Sequence, residues 1–301
     1  MAFGAGARGE TGAREQHAEP SPSARAGQSH ARRSHLRAAV RLALMGLPIA
    51  VLMPLALVSR ALAAMPARTT RVAGLRLGLW VQRHWARGTL WGAGVRLDAP
   101  RSPARGTRIV LANHVSYMDI LVLSSTCSAR MVAKSEIARW PLLGHLARSV
   151  GTIFLERRER RAVLPVSEEI ARTLSAGVPV GIFPEGHASS GASVAPFRGA
   201  LLETAVGAQV PILAVGLSYD TPSDVQPPAQ LVCWHDSTPF WKHFWRLLTV
   251  RDIVARVRWS GPHDAGADRK ELALRMHAEV SALAQPIRAL PLAPAASAPA
   301  R

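Results

Sequence analysis

The sequence predicts an α/β domain, a mixed, mostly parallel sheet flanked by helices, behind an N-terminal membrane-associated helical segment. Three observations carry this. Strand-like apolar runs alternate with helix-like segments from about residue 108 to 217. The residues able to do chemistry fall at the ends of those runs, where open α/β sheets bind ligands. Ahead of them, Leu42 to Ser59 contains no charged residue and is flanked by Arg37, Arg41 and Arg60. That run reaches the roughly 18-residue threshold for a membrane segment.

In chain order, residues 1–36 are rich in Gly, Ala, Ser, Arg and Glu without apolar periodicity and read as a disordered tail. Glu10, Glu15 and Glu19 argue against a targeting presequence. Residues 37–99 read as membrane-associated helices. The uncharged run fits a single span, a helical hairpin dipping into one leaflet, or a signal peptide, and the polar residues ahead of it argue against the last. Pro48 and Pro54 inside it are better tolerated in a bilayer than in water. Anchoring on the cytoplasmic side, spanning or half-buried, is the favoured reading. From Met65 to Gly94, Leu75, Leu79, Trp80, Trp85, Leu90 and Trp91 interleave with Arg68, Arg71, Arg76, Arg83 and Arg87. A helix of that pattern can lie on an anionic membrane, pack on the domain, or do both.

The catalytic domain is expected over residues 100–285. Strands are predicted at Arg108 to Ala112, Arg130 to Ala133, Val150 to Leu155, Val178 to Phe183 and Val210 to Leu217. Helices are predicted around Ile120 to Leu123, Leu142 to Arg148, Ala162 to Ala176 and Gly199 to Val206, with a closing amphipathic helix from Arg269 to Ala284. Between them, Trp234, Phe240, Trp241, Phe244 and Trp245 beside Lys242, His243 and Arg246 suit either a lipid interface or a helix packed on the sheet. Residues 286–301, rich in Pro and Ala, read as a second disordered tail.

With 301 residues and 48% hydrophobic content, the chain can bury a sizeable core. A net charge of +17 implies attraction to polyanions. Nucleic acid is not the expected partner, since no zinc-finger or RNP pattern occurs and the uncharged run would go unexplained. Cys127 and Cys233 stand far apart, with neither disulfide density nor zinc spacing, which suits a reducing compartment.

The central motif is Asn113-His114-Val115-Ser116-Tyr117-Met118-Asp119. On one continuous helix, residues five apart cannot meet easily. With His114 in a strand-to-helix turn, capped by Asn113 or Ser116, Asp119 reaches back from the first helical turns. An Asp on one ring nitrogen fixes the tautomer and leaves the other nitrogen free to take a proton from a hydroxyl. Taken alone, the spacing also fits a surface His beside a helix-start Asp. Gly151-Thr152-Ile153-Phe154-Leu155-Glu156-Arg157 ends another strand, and an Arg there can clamp a phosphate bidentately or simply join a solvated charge cluster. Phe183-Pro184-Glu185-Gly186 ends a third strand; Gly186 permits positive φ, nearby backbone amides could form an oxyanion hole, and Glu185 could hold the turn. Val210 to Val215 reads as an apolar wall.

Together these stretches resemble the four ordered motifs of the lysophosphatidate (1-acylglycerol-3-phosphate) acyltransferase family. The first is met by Asn113, His114, Ser116 and Asp119, and the second by Gly151, Ile153, Phe154, Glu156 and Arg157. The third is met by Phe183, Pro184, Glu185, Gly186 and Ser189, and the fourth by Val210, Pro211, Ile212 and Val215. The match covers about residues 75 to 220, and four motifs in order are far more specific than one.

The resemblance implies a glycerolphosphate-acyltransferase-like fold and an N-terminal helical pair embedded in one leaflet. It implies a His114–Asp119 dyad, an acceptor phosphate or headgroup held by Arg157, Glu185, Gly186 and Ser189, and an acyl site lined by the fourth motif. Lys134 is implied to assist acceptor binding. The co-substrate is implied to be acyl-CoA or acyl carrier protein, with no metal or resident cofactor. The expected reaction moves a fatty acyl group to the free hydroxyl of a lysophospholipid, foremost 1-acylglycerol-3-phosphate to give phosphatidate. One departure bears on this: where the family's third motif has Thr-Arg, this chain has His187-Ala188. Arg198 or Arg158 can replace the missing cation; otherwise the acceptor is another lysolipid such as lyso-ornithine lipid, or the chain is a non-catalytic membrane adaptor.

Overall fold

The structure, a computed structural model, describes residues 22–100, 109–140, 143–149, 151–155, 163–222, 231–284 and 288–290, with side chains from residue 33 onward except at 143, 146, 149, 163–165 and 288–290. The N-terminal segment is a helical hairpin, α1 (Pro22–Ala63) and α2 (Arg68–Gly92). The α/β part follows with β1 (Val95–Asp98), β2 (Ile109–Ala112), α3 (Met118–Thr126), β3 (Arg130–Lys134) and a short 3-10 turn (Ser135–Arg139). Then come α4 (Leu143–Ser149), β4 (Ile153–Leu155), α5 (Val163–Ser175), β5 (Val180–Ile182) and α6 (Glu203–Ala208). The chain closes with β6 (Ile212–Pro222), α7 (Phe240–Thr249), β7 (Ile253–His263), α8 (Arg269–Leu283) and β8 (Arg288–Leu290).

The sheet runs β1-β7-β6-β2-β5-β3-β4, with β8 paired to β6. Among the described strands only β6 and β7 pair antiparallel; every other neighbour is parallel. The parallel strands β2 and β5 are buried at every residue, as a strand covered by helices on both faces must be. One face of the sheet packs α1, α2, α3 and α7 around Leu90, Met118, Leu123, Leu247 and Leu248. The other packs α5, α6 and α8 around Ile170, Leu174, Ala205, Met276 and Val280.

All five expected strands form, with shifted ends. The fourth-motif strand runs on to Pro222: past Val215, where its pairing with β2 ends, β7 pairs it as far as Asp220 and β8 from Asp220 to Pro222, and every residue of it is buried. Strands β1, β7 and β8 were not expected. In β7 the alternation of Ile253, Ala255 and Val257 with exposed-side Arg256 and Arg258 is the period-two signal of a half-buried strand. The structure also differs from both expected tails. α1 begins at Pro22, inside the stretch read as tail, and Arg288–Leu290 pair with Asp220–Pro222 at the other end.

The two helices of the hairpin lie backbone to backbone. A Cβ on Gly74 would stand 2.7 Å from the Ser59 carbonyl oxygen, and one on Gly88 only 2.6 Å from the Pro48 ring. Small residues there permit the close approach. The base of α1 is fastened to α7: Arg37 donates to the Thr249 carbonyl at 2.6 Å, and Arg41 donates to those of Leu248 and Val250. These are the carbonyls that the end of a helix leaves without intrahelical donors, so the two guanidiniums cap α7. The outward face of α1 remains uncovered, with Leu36 66%, Leu47 59% and Val51 65% exposed. Arg33–Ala63 is the one described stretch long and apolar enough to cross a membrane.

Candidate active site

Because β2, β3, β4 and β5 are parallel, their C-terminal ends share one edge of the sheet. Asn113 follows β2 there. Its Oδ1 accepts from the Leu217 N–H at 2.7 Å and its Nδ2 donates to the Leu217 carbonyl at 3.0 Å. A side-chain amide carries one donor and one acceptor sense, as a peptide does, so Asn113 extends the β2–β6 ladder by one rung. It caps no helix, contrary to one sequence expectation. At the start of α3, Ser116 Oγ accepts from the Met118 N–H at 3.3 Å.

His114 sits in the turn and Asp119 in the first turn of α3. His114 Nδ1 lies 2.9 Å from Asp119 Oδ2. The same oxygen accepts from the Val115 and Ser116 amides at 2.6 and 2.9 Å, which closes the turn around the carboxylate. Asp119 is fully buried, whereas the His114 side chain is 18% exposed. A carboxylate acceptor at Nδ1 assigns the proton there and leaves Nε2 with a lone pair. The ring is also held from one side by Phe183, stacked at 4.2 Å.

The second Asp119 oxygen is served by a residue the motifs do not contain. Tyr219 on β6 donates its hydroxyl to Oδ1 at 2.6 Å and is itself fully buried. Burial and then the Asp119 charge push the Tyr219 phenol well above its ordinary range, so it remains a donor. His114, Asp119 and Tyr219 thus form one chain, anchored on two adjacent strands.

The third-motif loop closes over the turn. Glu185, 1% exposed, accepts from the His114 amide through Oε1 and from the Ala195 amide at 2.8 Å through Oε2. Burial raises its proton affinity and the two amide donors oppose that rise. Buried, and with each oxygen engaged by a backbone amide, Glu185 braces two loops. Two of the amides around Gly186 are also engaged by backbone. The Gly186 N–H donates to the Phe183 carbonyl at 3.1 Å and the Ser189 N–H to the His114 carbonyl at 2.8 Å. Gly186 does take positive φ, 82°. A Cβ there would lie 3.0 Å from Arg198 Nε, so the exposed guanidinium of Arg198 rests directly on the turn. The Arg198 amide in turn donates to the Pro184 carbonyl at 2.9 Å.

The structure therefore brings His114, Asp119, Glu185, Gly186, Ser189 and Arg198 together, while Lys134 ends β3 on the same edge. Arg157 and Arg158 lie outside the described residues. What is described of the second motif is Gly151 and β4. The Gly151 carbonyl accepts from Arg130 Nε at 2.6 Å, and Arg130 reaches on to Glu169 at 2.8 Å and Thr173 at 2.7 Å. Arg130 is buried and pins the second motif to α5; only its place at the head of an apolar strand hinted at this. Among the described residues no cluster of three or more His, Cys, Asp or Glu could hold a metal ion.

A family model described as Acyltransferase matches residues 98–218. The chain is 33% identical over 192 residues to a 1-acyl-sn-glycerol-3-phosphate acyltransferase of Neisseria meningitidis, covering 63% of this chain and 72% of that protein. It is also 33% identical over 189 residues to a lyso-ornithine lipid O-acyltransferase of Brucella abortus, covering 59% and 71%. Among solved structures, the 1-acyl-sn-glycerophosphate acyltransferase PlsC of Thermotoga maritima superposes with a TM-score of 0.62 at 20% identity, over 84% of this chain and 95% of that one. At that identity the likeness is one of fold.

Proposed function

This chain belongs to the 1-acylglycerol-3-phosphate acyltransferase family, and from that premise we propose how it works and on what. It is a membrane-associated O-acyltransferase of lysolipids. The observation that carries the mechanism is the oriented dyad: His114 Nδ1 on a buried Asp119, with Nε2 left open at the sheet edge. The acceptor hydroxyl gives its proton to Nε2 as its oxygen attacks the thioester carbonyl. The tetrahedral intermediate then expels the thiolate, which takes the same proton back from His114. This route requires no covalent acyl-enzyme. The donor is acyl-CoA or acyl carrier protein.

The acceptor is 1-acylglycerol-3-phosphate. Arg198, lying on Gly186, supplies a cation beside the turn in which Ala188 stands where the family has arginine. Lys134 and Arg157 are assigned to the same phosphate. A second reading, lyso-ornithine lipid as acceptor, is favoured by the altered third motif together with the relatives bearing that name.

The hairpin sits half-embedded in one leaflet on the cytoplasmic face. In support, Arg37 and Arg41 at the base of α1 bind α7, while α2 returns the chain to β1, so both ends of the hairpin meet the same domain. A simple span would leave one end on the far side.

The test is an assay with labelled acyl thioester and a panel of lysolipids. His114→Ala is expected to abolish transfer to all of them while membrane binding survives; near-normal turnover would refute the mechanism. Preference for lyso-ornithine lipid over 1-acylglycerol-3-phosphate would replace the first acceptor by the second.

A further inference from the structure

Outside the dyad, a cavity of about 460 Å³ opens in the seam between the base of α1 and α7. Six of the residues around it are Ser34, His35, Thr238, Lys242, Trp245 and Arg246. Among the described lining residues none is a carboxylate; they include the Lys242 ammonium, the Arg246 guanidinium, an imidazole and hydroxyls. His35 Nδ1 accepts from the Trp245 indole at 3.0 Å, so the neutral ring carries its own proton on Nε2 and is a donor there. Lys242, Trp245 and Arg246 fall on one stripe of α7. The other stripe packs on the motif turn through Phe240 and Phe244, 5.1 and 6.2 Å from Tyr117, and through His243, hydrogen-bonded to the Tyr117 hydroxyl.

The position of the cavity identifies its occupant. The uncovered apolar face of α1 begins one residue after His35, with Leu36 66% and Val40 49% exposed, and Trp241 beside Lys242 is 68% exposed. Exposed tryptophan next to an apolar helix face marks the headgroup level of a bilayer. Cations and hydroxyls at that level, with apolar surface on the membrane side, match a phosphate group carried on acyl chains. We propose that the α1–α7 seam is a second headgroup site, which holds the phosphate of an anionic membrane lipid while the acceptor occupies the dyad. The site goes beyond acyl transfer and does not depend on that reading.

The experiment is sedimentation of the full chain with phosphatidylcholine vesicles, with and without phosphatidylglycerol. Lys242→Glu is the principal variant because Lys242 is exposed and no part of the dyad or its loops. A basic side chain at an anionic surface is worth on the order of fivefold in binding. Lys242→Glu is expected to lose at least that much of the gain from phosphatidylglycerol, and Lys242→Arg to keep it. Lys270→Glu makes the same charge change on α8, on the opposite face of the sheet, and is expected to bind as wild type does. Wild-type binding by Lys242→Glu, or an equal loss in Lys270→Glu, would overturn the site. Saturable binding of inorganic phosphate at the cavity that leaves vesicle binding of wild type unchanged would assign the cavity to free phosphate and overturn the lipid. Sedimentation needs no turnover, so failure of the acyl-transfer reading would leave this result standing, and the reverse.

Discussion

Removing one hydroxyl tests whether the dyad is a pair or a chain of three. Tyr219→Phe keeps the buried ring and deletes only the 2.6 Å hydrogen bond to Asp119 Oδ1. A hydrogen bond to a charged group is worth about 1.5–3 kcal/mol. Asp119 Oδ2 keeps its three donors, His114 and the Val115 and Ser116 amides, so the carboxylate stays in place but can rotate about that edge. If about 1.4 kcal/mol of the loss appears in the transition state, kcat falls about tenfold. The KM values for both substrates should stay within about twofold, since Tyr219 is fully buried and its hydroxyl is spent on Asp119. The assay is steady-state transfer from acyl-CoA, repeated in an Asp119→Asn background. There the same substitution should cost little more, because residues acting as one unit are not additive. Unchanged kcat, or a full tenfold loss on top of Asp119→Asn, would refute the chain.

Two further outcomes follow from the geometry. Gly186→Ala places a Cβ at φ 82°, 3.0 Å from Arg198 Nε, and should lower stability by about 1–2 kcal/mol. By displacing Arg198 it should raise the acceptor KM more than it lowers kcat, which thermal melts and kinetics together will read. Burial pushes the Cys127 thiol from 9.0 to about 11, against the smaller pulls of Thr126 and Arg83. The folded value lies above the unfolded one, so this contribution is intact below about pH 9 and lost as pH climbs through 11. At roughly 1.4 kcal/mol per unit this is about 2–3 kcal/mol, and Cys127→Ala should flatten the alkaline fall in Tm. An alkaline limb equally steep in both proteins would contradict it.

The site was legible where chemistry and local order coincide. The His114–Asp119 pairing needs only a turn between a strand and a helix, and both could be read from the apolar run and its end. Tyr219 could not be read that way. It stands 100 residues from Asp119 and reaches it only because β6 lies beside β2 in the register Ala112 to Val215. A register between distant strands leaves no local mark. Glu185 shows a subtler limit: its place in the loop was clear, but the burial and the two amides that make it a brace are tertiary facts. By contrast β7 carries a local signal, the alternation from Ile253 to Arg258, although it lies beyond the four motifs.

The hairpin, fastened by Arg37 and Arg41 at its base and closely packed along Gly74 and Gly88, has a kinetic consequence. An enzyme held rigidly to the surface that stores its acceptor searches for it in two dimensions. Its encounter rate then follows the mole fraction of lysolipid in the leaflet and not the amount in the suspension. Diluting the acceptor with inert lipid slows such an enzyme; diluting the whole suspension with buffer does not.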